Sequence, residues 1–396
     1  MGAPPSDVDV RNVAVIGAGT MGSGIAQIAS QAGHEVVLTD LSKDVLETSA
    51  SKLAKIMARL VEKERVTSEE AKAIQARINR TTDLESQRDC NLIVEAVVEN
   101  MDVKINVFNK LESIISDDTI LASNTSSLSI TNLAKNCRVS NRVVGLHFFN
   151  PAPLMPLVEI IPALQTRDDI PTLLLDLMKA WGKSPVLAKD TPGFIVNRVA
   201  RPFYSEGLRI LDEGLADVNT IDTAMREKEF RMGPFELMDL IGHDVNYPVT
   251  ESVFKSFYYD PRFKPSITQL KLVEADWLGK KSGRGFYKYE EDGTRLFFKI
   301  DSASDIRYSI AERIIAMLIN EAADAVFWNI ASVEDIDTAI TKGVNYPKGL
   351  LKWADEWGAS KVINIIDSLA QHYGDGRYRV SPILREMARS GDKFHS

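Results

Sequence analysis

Residues 13–22, Val-Ala-Val-Ile-Gly-Ala-Gly-Thr-Met-Gly, decide the fold of the N-terminal half of this sequence. The apolar run 13–16 predicts a strand buried on both faces, and a helical pattern follows the glycines. Gly17 permits the turn out of the strand, Gly19 lets the backbone approach a pyrophosphate, and Gly22 lets the helix pack closely. The N–H groups at the start of that helix would bind phosphates. The stretch therefore predicts a dinucleotide-binding turn.

An acidic residue follows the second predicted strand. Residues 36–38 are apolar, and Asp40 comes directly after Thr39. A carboxylate at this position can accept hydrogen bonds from both ribose hydroxyls of an adenosine, and it repels a 2′-phosphate. The sequence therefore predicts an α/β Rossmann-type domain that binds NAD in preference to NADP.

The bulk composition limits the class of protein. A chain of 396 residues is too long for one core and predicts two or three domains. The net charge of −8 argues against a nucleic-acid partner and an anionic membrane surface. The sequence pattern predicts neither a signal peptide nor a membrane-spanning stretch, and the two cysteines fit a reducing compartment. We therefore expect a cytoplasmic protein with no membrane partner, and we predict no metal site.

Residues 43–78 form a long helical excursion within the dinucleotide-binding unit. Residues 65–67 break the helical pattern, and Thr67-Ser-Glu-Glu70 predicts a capping box at the start of a second helix. The first helix carries four basic residues at helical spacings, so they share roughly one face. They are Lys52, Lys55, Arg59 and Lys63. This face is either a solvated surface or a basic binding surface for a phosphate-bearing carrier.

Two further predicted strands end in polar residues, at the edge of the sheet where ligands bind in such folds. Residues 91–99 form an apolar run that ends in Glu99, and Lys104 follows about one helical turn later. The predicted strand 119–123 opens into the polar run 124–127, Asn-Thr-Ser-Ser. Serine and threonine also cap helices, so this run is either part of a site or a cap.

A histidine and a glutamate lie in two apolar strands joined by a proline-rich turn. The strands cover residues 143–151 and 157–161, and such a turn can bring His147 and Glu159 together. A single histidine in an apolar strand is usually a core residue. A histidine paired with a carboxylate beside a nicotinamide site can instead act as a general base.

The C-terminal half is predicted to be almost entirely helical and contains an internal repeat. Arg198 and Glu206 recur 115 positions later as Arg313 and Glu321, and the motif Ile-Asp-Thr-Ala recurs with the same offset. We expect an α/β Rossmann-type N-terminal domain followed by two tandem all-α domains. Their predicted bounds are 10–188, 189–293 and 302–396.

These motifs together resemble the L-3-hydroxyacyl-CoA dehydrogenase family. The similar stretches, in the family's order over most of residues 11–290, are VIGAGTMGSGIAQ, ASNTSSLSI, GLHFFNPAPLMPLVE, DTPGFIVNR, MGPFELMDLIG and LGKKSGRGFY. The second helical copy resembles the duplicated C-terminal domain of some bacterial members and of multifunctional fatty-oxidation proteins. The stretch FRMGPFELMDLIGHDVNY is similar to the 3-hydroxyadipyl-CoA and 3-hydroxybutyryl-CoA dehydrogenases of the family.

The resemblance implies NAD-dependent, reversible oxidation of L-3-hydroxyacyl-CoA to 3-ketoacyl-CoA, in fatty-acid or related acyl-CoA degradation. It makes His147 the catalytic base, paired with Glu159, and lets Ser126 and Asn197 contact the reacting oxygen of the substrate. It also suggests that Lys63 meets the CoA phosphates. The positions predicted to bind NAD are Gly17, Gly19, Thr20, Met21, Gly22, Asp40, Glu99, Lys104 and Asn124.

The second helical copy differs from the first where the substrate contact is expected. The position of Asn197 is occupied by Glu312, so we expect a structural domain there. Relatives with one such domain dimerise through it. We therefore expect residues 302–396 to pack on 190–290 as an internal pseudo-dimer that buries the apolar run 310–326. The chain would then be a monomer, or a homo-oligomer built through other contacts.

Two other functions remain open on the sequence. One is another dehydrogenase of the β-hydroxyacid type, although those enzymes typically use a lysine base rather than a histidine–glutamate pair. The other is a non-catalytic NAD-binding protein. The preferred acyl-chain length, and any need for a carboxylate on the acyl chain, also remain open.

Overall fold

A computed structural model describes residues 10–296 and 304–395 of the chain. One compact unit ends at Thr191 and a second begins at Pro192. The predicted start of the third domain, residue 302, and its last residue, 396, lie outside the described residues. Among the helices of the described ranges, none is long and apolar enough to cross a membrane.

The first unit is built on one mixed sheet, whose strands are β1 Asn12–Ile16, β2 Glu35–Thr39, β3 Ile78–Thr81, β4 Leu92–Glu95, β5 Ile120–Ser123, β6 Val143–Phe148, β7 Leu157–Pro162 and β8 Ser184–Leu187. They lie in the order β3-β2-β1-β4-β5-β6-β7-β8 and are parallel except for the antiparallel pair β6–β7. The central strands β4, β5 and β6 are buried along their whole length, as continuous apolar runs in a parallel sheet require. The predicted Rossmann-type architecture is confirmed.

Six α-helices of the described residues belong to this unit. They are α1 Thr20–Gln31, α2 Lys43–Glu62, α3 Ser68–Ala76, α4 Met101–Glu112, α5 Ile130–Lys135 and α6 Asp169–Ala180. The capping box predicted at the start of α3 is present, since Thr67 Oγ1 accepts from Glu70 N and Glu70 Oε2 accepts from Thr67 N. The chain leaves α3 at Ala76 and enters β3 at Ile78, a strand that the sequence did not predict.

The strand predicted over residues 91–99 is shorter than expected. It ends at Glu95, because the carboxylate of this residue accepts a hydrogen bond from the N–H of Val97 at 2.7 Å and so fixes a turn. Asn100 then caps α4 by accepting from Val103 N. Glu99 therefore lies in the loop between β4 and α4 and not at the end of a strand.

The second unit is helical in its described residues, and its two repeats use the same series of elements. The first contains α7 Val196–Val199, α8 Arg201–Asp212, α9 Val218–Arg226, α10 Pro234–Ile241, α11 His243–Ser256 and α12 Ile267–Glu274. The second contains α13 Ser304–Phe327, α14 Val333–Gly343, α15 Leu350–Trp357, α16 Ala359–Tyr373 and α17 Pro382–Ser390. Helices α9, α10, α11 and α12 begin within one residue of 115 positions before α14, α15, α16 and α17, so the repeat in the sequence is a repeat of structure.

The long helix α13 joins the two repeats. It packs against α8 and α9 of the first repeat and against α15, α16 and α17 of its own. Within its apolar run, Ile314, Ile315, Leu318 and Ile319 are fully buried. The second repeat thus packs on the first, as an internal pseudo-dimer requires.

Candidate active site

The glycine turn between β1 and α1 has the shape that binds a dinucleotide. Gly17 has φ of +99°, and a Cβ there would come within 2.6 Å of the carbonyl oxygen of Ala96. A Cβ on Gly22 would lie 1.7 Å from the carbonyl oxygen of Gly17. A Cβ on Gly19 would meet no protein atom within 4 Å. Positions 17 and 22 thus have no room for a side chain. The space beside position 19 is empty, so a ligand can reach the start of α1 at Thr20 and Met21.

The acid predicted to bind ribose lies beside this turn. Asp40 follows β2 directly, and its Oδ2 accepts a hydrogen bond from Ala18 N at 2.8 Å. Its Oδ1 accepts from Ser42 N at 3.0 Å. A carboxylate has about four acceptor sites, so both oxygens can still accept hydrogen bonds from ribose hydroxyls. Asp40 therefore holds the glycine turn and presents a negative charge next to it.

His147 and Glu159 form a buried pair on neighbouring strands. They are opposite each other in the antiparallel register of β6 and β7, which places their side chains on the same face of the sheet. His147 Nδ1 lies 2.7 Å from Glu159 Oε2, and the two residues are 6% and 0% exposed. Because a carboxylate only accepts, the neutral imidazole carries its proton on Nδ1, and Nε2 keeps its lone pair. The pairing expected from the sequence is confirmed.

Ser126 is held by the loop carboxylate that follows β4. Glu99 Oε1 accepts from Ser126 N at 2.9 Å and from Ser126 Oγ at 3.1 Å, and it also accepts from Thr125 Oγ1 at 2.7 Å. Burial acts to raise the pKa of Glu99, but the charge of Lys104 and these hydrogen bonds outweigh it, so the pKa is lowered. Glu99 is therefore an anion that orders the loop carrying Ser126.

A buried residue that sequence reasoning missed is the main partner of Lys104. Lys104 Nζ donates to Glu95 Oε1 at 2.7 Å and lies 3.4 Å from Glu99 Oε2. Glu95 also accepts from Ser123 Oγ at 2.6 Å, and Lys104 is only 1% exposed. The signal in the sequence was an acidic residue inside an apolar run, nine positions before a lysine. Lys104 therefore contacts both glutamates behind the loop that carries Ser126.

Asn124 connects this network to the strand that carries the histidine. Its backbone N–H donates to the carbonyl of Glu95, and its Oδ1 accepts from Phe148 N, both at 2.8 Å. Phe148 is the neighbour of His147 in β6. Asn124, Ser126, His147 and Glu159 are thus held by one hydrogen-bonded frame at the carboxyl edge of the sheet.

A cavity of about 740 Å³ opens between α1, α2 and the turn that follows β6. Apolar residues of α2 and Leu154 of the turn line it, and it begins at Gly19 and Thr20 of the glycine turn. Two basic residues, Lys52 and Arg65, also line the cavity. Lys63 caps the end of α2 and is exposed, outside the set of lining residues.

Asn197 belongs to the second unit. It lies on α7 and is half-buried. Glu312, at the matching position of the second repeat, forms an ion pair with Lys361 of α16. The second repeat therefore uses this position for a contact within its own fold.

Known families and proteins match this chain along most of its length. Residues 12–191 match the family described as "3-hydroxyacyl-CoA dehydrogenase, NAD binding domain". Residues 193–289 and, separately, 310–394 match "3-hydroxyacyl-CoA dehydrogenase, C-terminal domain". The two matches to one C-terminal domain agree with the internal repeat.

Individual relatives match this chain in sequence, and one solved structure matches it in fold. The 3-hydroxyadipyl-CoA dehydrogenase of Escherichia coli K12 is 36% identical, over 96% of this chain and 98% of that protein. The mitochondrial hydroxyacyl-coenzyme A dehydrogenase of Sus scrofa is 42% identical, over 71% of this chain and 92% of that protein. A crystal structure of 3-hydroxybutyryl-CoA dehydrogenase from E. coli K12 superposes with a TM-score of 0.90, covering 97% of this chain and 99% of that one, at 36% identity.

Proposed function

Because this chain belongs to the 3-hydroxyacyl-CoA dehydrogenase family, we propose that His147 and Glu159 carry out the family's reaction. That reaction is the NAD-dependent oxidation of an L-3-hydroxyacyl-CoA to a 3-ketoacyl-CoA. The observation that carries the assignment is the 2.7 Å hydrogen bond between His147 Nδ1 and Glu159 Oε2 in a buried pair. It leaves Nε2 as the one ring nitrogen able to accept a proton.

His147 acts as the general base. Its Nε2 accepts the proton of the substrate hydroxyl, and the Nδ1–H bond to Glu159 fixes the ring in the tautomer that this step needs. As the imidazolium forms, the carboxylate of Glu159 stabilises its positive charge. In the reverse direction His147 returns this proton to the ketone oxygen. Bound NAD⁺ supplies the acceptor for the hydride.

The residues of the glycine turn fit the pyrophosphate of NAD. Gly17 and Gly22 shape the turn, Gly19 leaves room beside the N–H groups of Thr20 and Met21, and Asp40 binds the adenosine ribose. At the nicotinamide end we assign Glu99 and Asn124 as cofactor contacts. Lys104 belongs to the same end, where its buried ammonium holds Glu99 in place.

Two polar residues are assigned to the reacting oxygen of the substrate. Ser126, ordered by Glu99, and Asn197 of α7 would hold this oxygen and polarise the ketone in the reverse reaction. The CoA portion would occupy the cavity between α1 and α2, whose apolar lining suits the pantetheine arm. Lys52 and Arg65 at the cavity, together with Lys63 at the end of α2, would meet the CoA phosphates.

The experiment that tests this function is the reduction of acetoacetyl-CoA by NADH, followed by the loss of NADH absorbance. We expect turnover with NADH and much slower turnover with NADPH. Free acetoacetate is the matched control, because a β-hydroxyacid-type dehydrogenase would reduce it without CoA. Binding of NADH with no turnover of acetoacetyl-CoA would favour a non-catalytic NAD-binding protein and contradict the proposal.

We also propose a cytoplasmic location and a chain that needs no partner protein for this reaction. Both cysteines, Cys90 and Cys137, are free and buried, which suits a reducing compartment. The pseudo-dimer within the second unit covers the apolar face that single-domain relatives are expected to use for dimerisation. A monomer, or a homo-oligomer built through other contacts, is then expected in light-scattering measurements.

A further inference from the structure

The second unit contains a cavity of about 710 Å³ that no part of the proposed reaction uses. It is bounded by α8, α11 and α12 of the first repeat and by residues 373–377 of the second. Aromatic rings of Tyr204, Phe254 and Tyr259 contribute to its lining. A volume of this size, with aromatic walls, is typical of a small-molecule site.

Arg201, the first residue of α8, lines this cavity and is only 6% exposed. Its Nη1 donates to Thr250 Oγ1 at 3.0 Å, and its guanidinium lies over the ring of Tyr204, 5.0 Å from the ring centre. Its Nε has no acceptor, and no carboxylate among the described residues forms an ion pair with it. Burial without an anion lowers the pKa of Arg201 from its ordinary value.

The other arginines of the same cavity are neutralised by carboxylates. Arg209 forms ion pairs with Glu213 and Asp375, and Arg377 pairs with Glu206 at 2.9 Å. A buried charge is costly unless it is paired, so Arg201 is the exception in this group. The unsatisfied positive charge faces a space large enough for a ligand.

We propose that this cavity binds a small organic anion through its carboxylate, with Arg201 as the charged partner. A carboxylate would supply the negative charge that this buried guanidinium lacks and would accept hydrogen bonds from it. The aromatic walls would contact an apolar carbon chain attached to that carboxylate.

The carboxylate can belong to the substrate itself or to a separate small acid. Arg201 follows Asn197 by four residues, across the junction between α7 and α8. If Asn197 contacts the reacting oxygen, as the proposed function assumes, a carboxylate a few carbon–carbon bonds away on the acyl chain could reach Arg201. A separate acid would bind the same guanidinium without any link to catalysis.

The first experiment measures binding of free adipate by calorimetry and by the shift in melting temperature, with chloride at equal ionic strength as the blank. We expect wild-type protein to bind adipate and Arg201→Gln to bind it at least about tenfold more weakly. Arg201→Lys keeps the positive charge but lacks the planar guanidinium, so its affinity for adipate should lie between those of the wild type and Arg201→Gln. Lys264→Gln, which removes an exposed positive charge from the same cavity, should bind adipate nearly as wild type does.

Absence of adipate binding by the wild-type protein, or equal binding by wild type and Arg201→Gln, would overturn the proposal. If Arg201→Gln does not fold, the comparison of Arg201→Lys with wild type carries the same test. Adipate binding is measured without turnover. The anion site can therefore be disproved while the proposed dehydrogenase activity is confirmed, and the activity can be disproved while the anion site is confirmed.

The second experiment distinguishes the two sources of the carboxylate. It compares kcat/KM for 3-hydroxyadipyl-CoA and for 3-hydroxyhexanoyl-CoA, which have the same chain length but differ in the terminal carboxylate. If the substrate supplies the carboxylate, Arg201→Gln lowers the preference for the adipyl substrate by about tenfold or more. If a separate acid is the ligand, the preference stays constant while adipate binding is lost.

Discussion

Arg198 of the first repeat and Glu321 of the second form a buried ion pair, with Nε and Oε1 2.7 Å apart. The same pair is made with the repeats exchanged, because Arg313 Nε lies 3.0 Å from Glu206 Oε2. An exchange of equivalent contacts is the mark of a two-fold, self-complementary interface. One polypeptide therefore contains an interface of the type that a homodimer forms between two chains.

The Arg198–Glu321 pair predicts strong coupling in a double-mutant cycle. Arg198→Met should destabilise the protein by about 3–5 kcal/mol, because it leaves the buried carboxylates of Glu321 and Asp324 with one fewer cation. Adding Glu321→Gln restores the charge balance, so the double variant should be less destabilised than the sum of the two single variants. Urea unfolding of the four proteins measures this coupling.

The matched control for this cycle is the exposed ion pair between Arg385 and Asp367. Arg385→Met should cost at most about 1 kcal/mol, since exposed pairs contribute little. If the effects of Arg198→Met and Glu321→Gln on the free energy of unfolding were additive, the predicted coupling between the two repeats would be contradicted.

Truncation tests the pseudo-dimer in another way. A fragment of residues 1–292 lacks α13, so the apolar faces of α8 and α9 that it covers would be open to solvent. We expect this fragment to aggregate or to form a new dimer in size exclusion coupled to light scattering. A soluble, fully active monomer would mean that the second repeat is an independent appendage.

The elements with strong local signals could be predicted from the sequence. The glycine turn follows from sterics within a few residues, and the His147–Glu159 pair follows from two apolar strands joined by a short turn. The repeat is visible as identical residues at a fixed offset. In each case the determining residues are near in sequence or appear twice.

The features that were missed depend on contacts distant in the fold or on a single side chain. The apolar run 91–99 resembles one long strand, yet the buried carboxylate of Glu95 turns the chain and forms an ion pair with Lys104. Edge strand β3 is short and half polar, so it follows the helical excursion without a clear pattern. Nothing in the sequence around Arg201 distinguishes it from other arginines, and its lack of a carboxylate partner among the described residues follows from how α8 packs.

The glycine turn predicts different effects at its second and third glycines. Gly19→Ala adds a methyl group that meets no protein atom, so the free energy of unfolding should change little while NADH affinity falls. Gly22→Ala drives its methyl group into the carbonyl of Gly17 and should destabilise the protein as well. Thermal unfolding and NADH fluorescence titration measure the two effects. Wild-type NADH affinity in Gly19→Ala would place the pyrophosphate elsewhere.

Asp40 predicts the choice between NADH and NADPH. Asp40→Ala removes the ribose acceptor and the negative charge, so NADH binding should weaken by about ten- to a hundredfold and discrimination against NADPH should relax. Asp40→Asn is the matched variant, because it can keep an oxygen for Ala18 N while losing the charge. Fluorescence titration measures the affinities for NADH and NADPH. An unchanged preference for NADH over NADPH in both variants would exclude Asp40 as the ribose ligand.

The central claim is that His147 is the general base, and its most direct test is the steady-state turnover of His147→Gln with acetoacetyl-CoA and NADH. We expect kcat to fall by about 10²–10⁴-fold while the dissociation constant of NADH stays near the wild-type value. Glu159→Gln should lower kcat by a smaller factor, since it keeps a hydrogen bond and loses the charge. His243→Gln removes another buried histidine–carboxylate pair, with Asp239, and controls for lost stability alone. A kcat of His147→Gln within a few-fold of wild type would contradict the account.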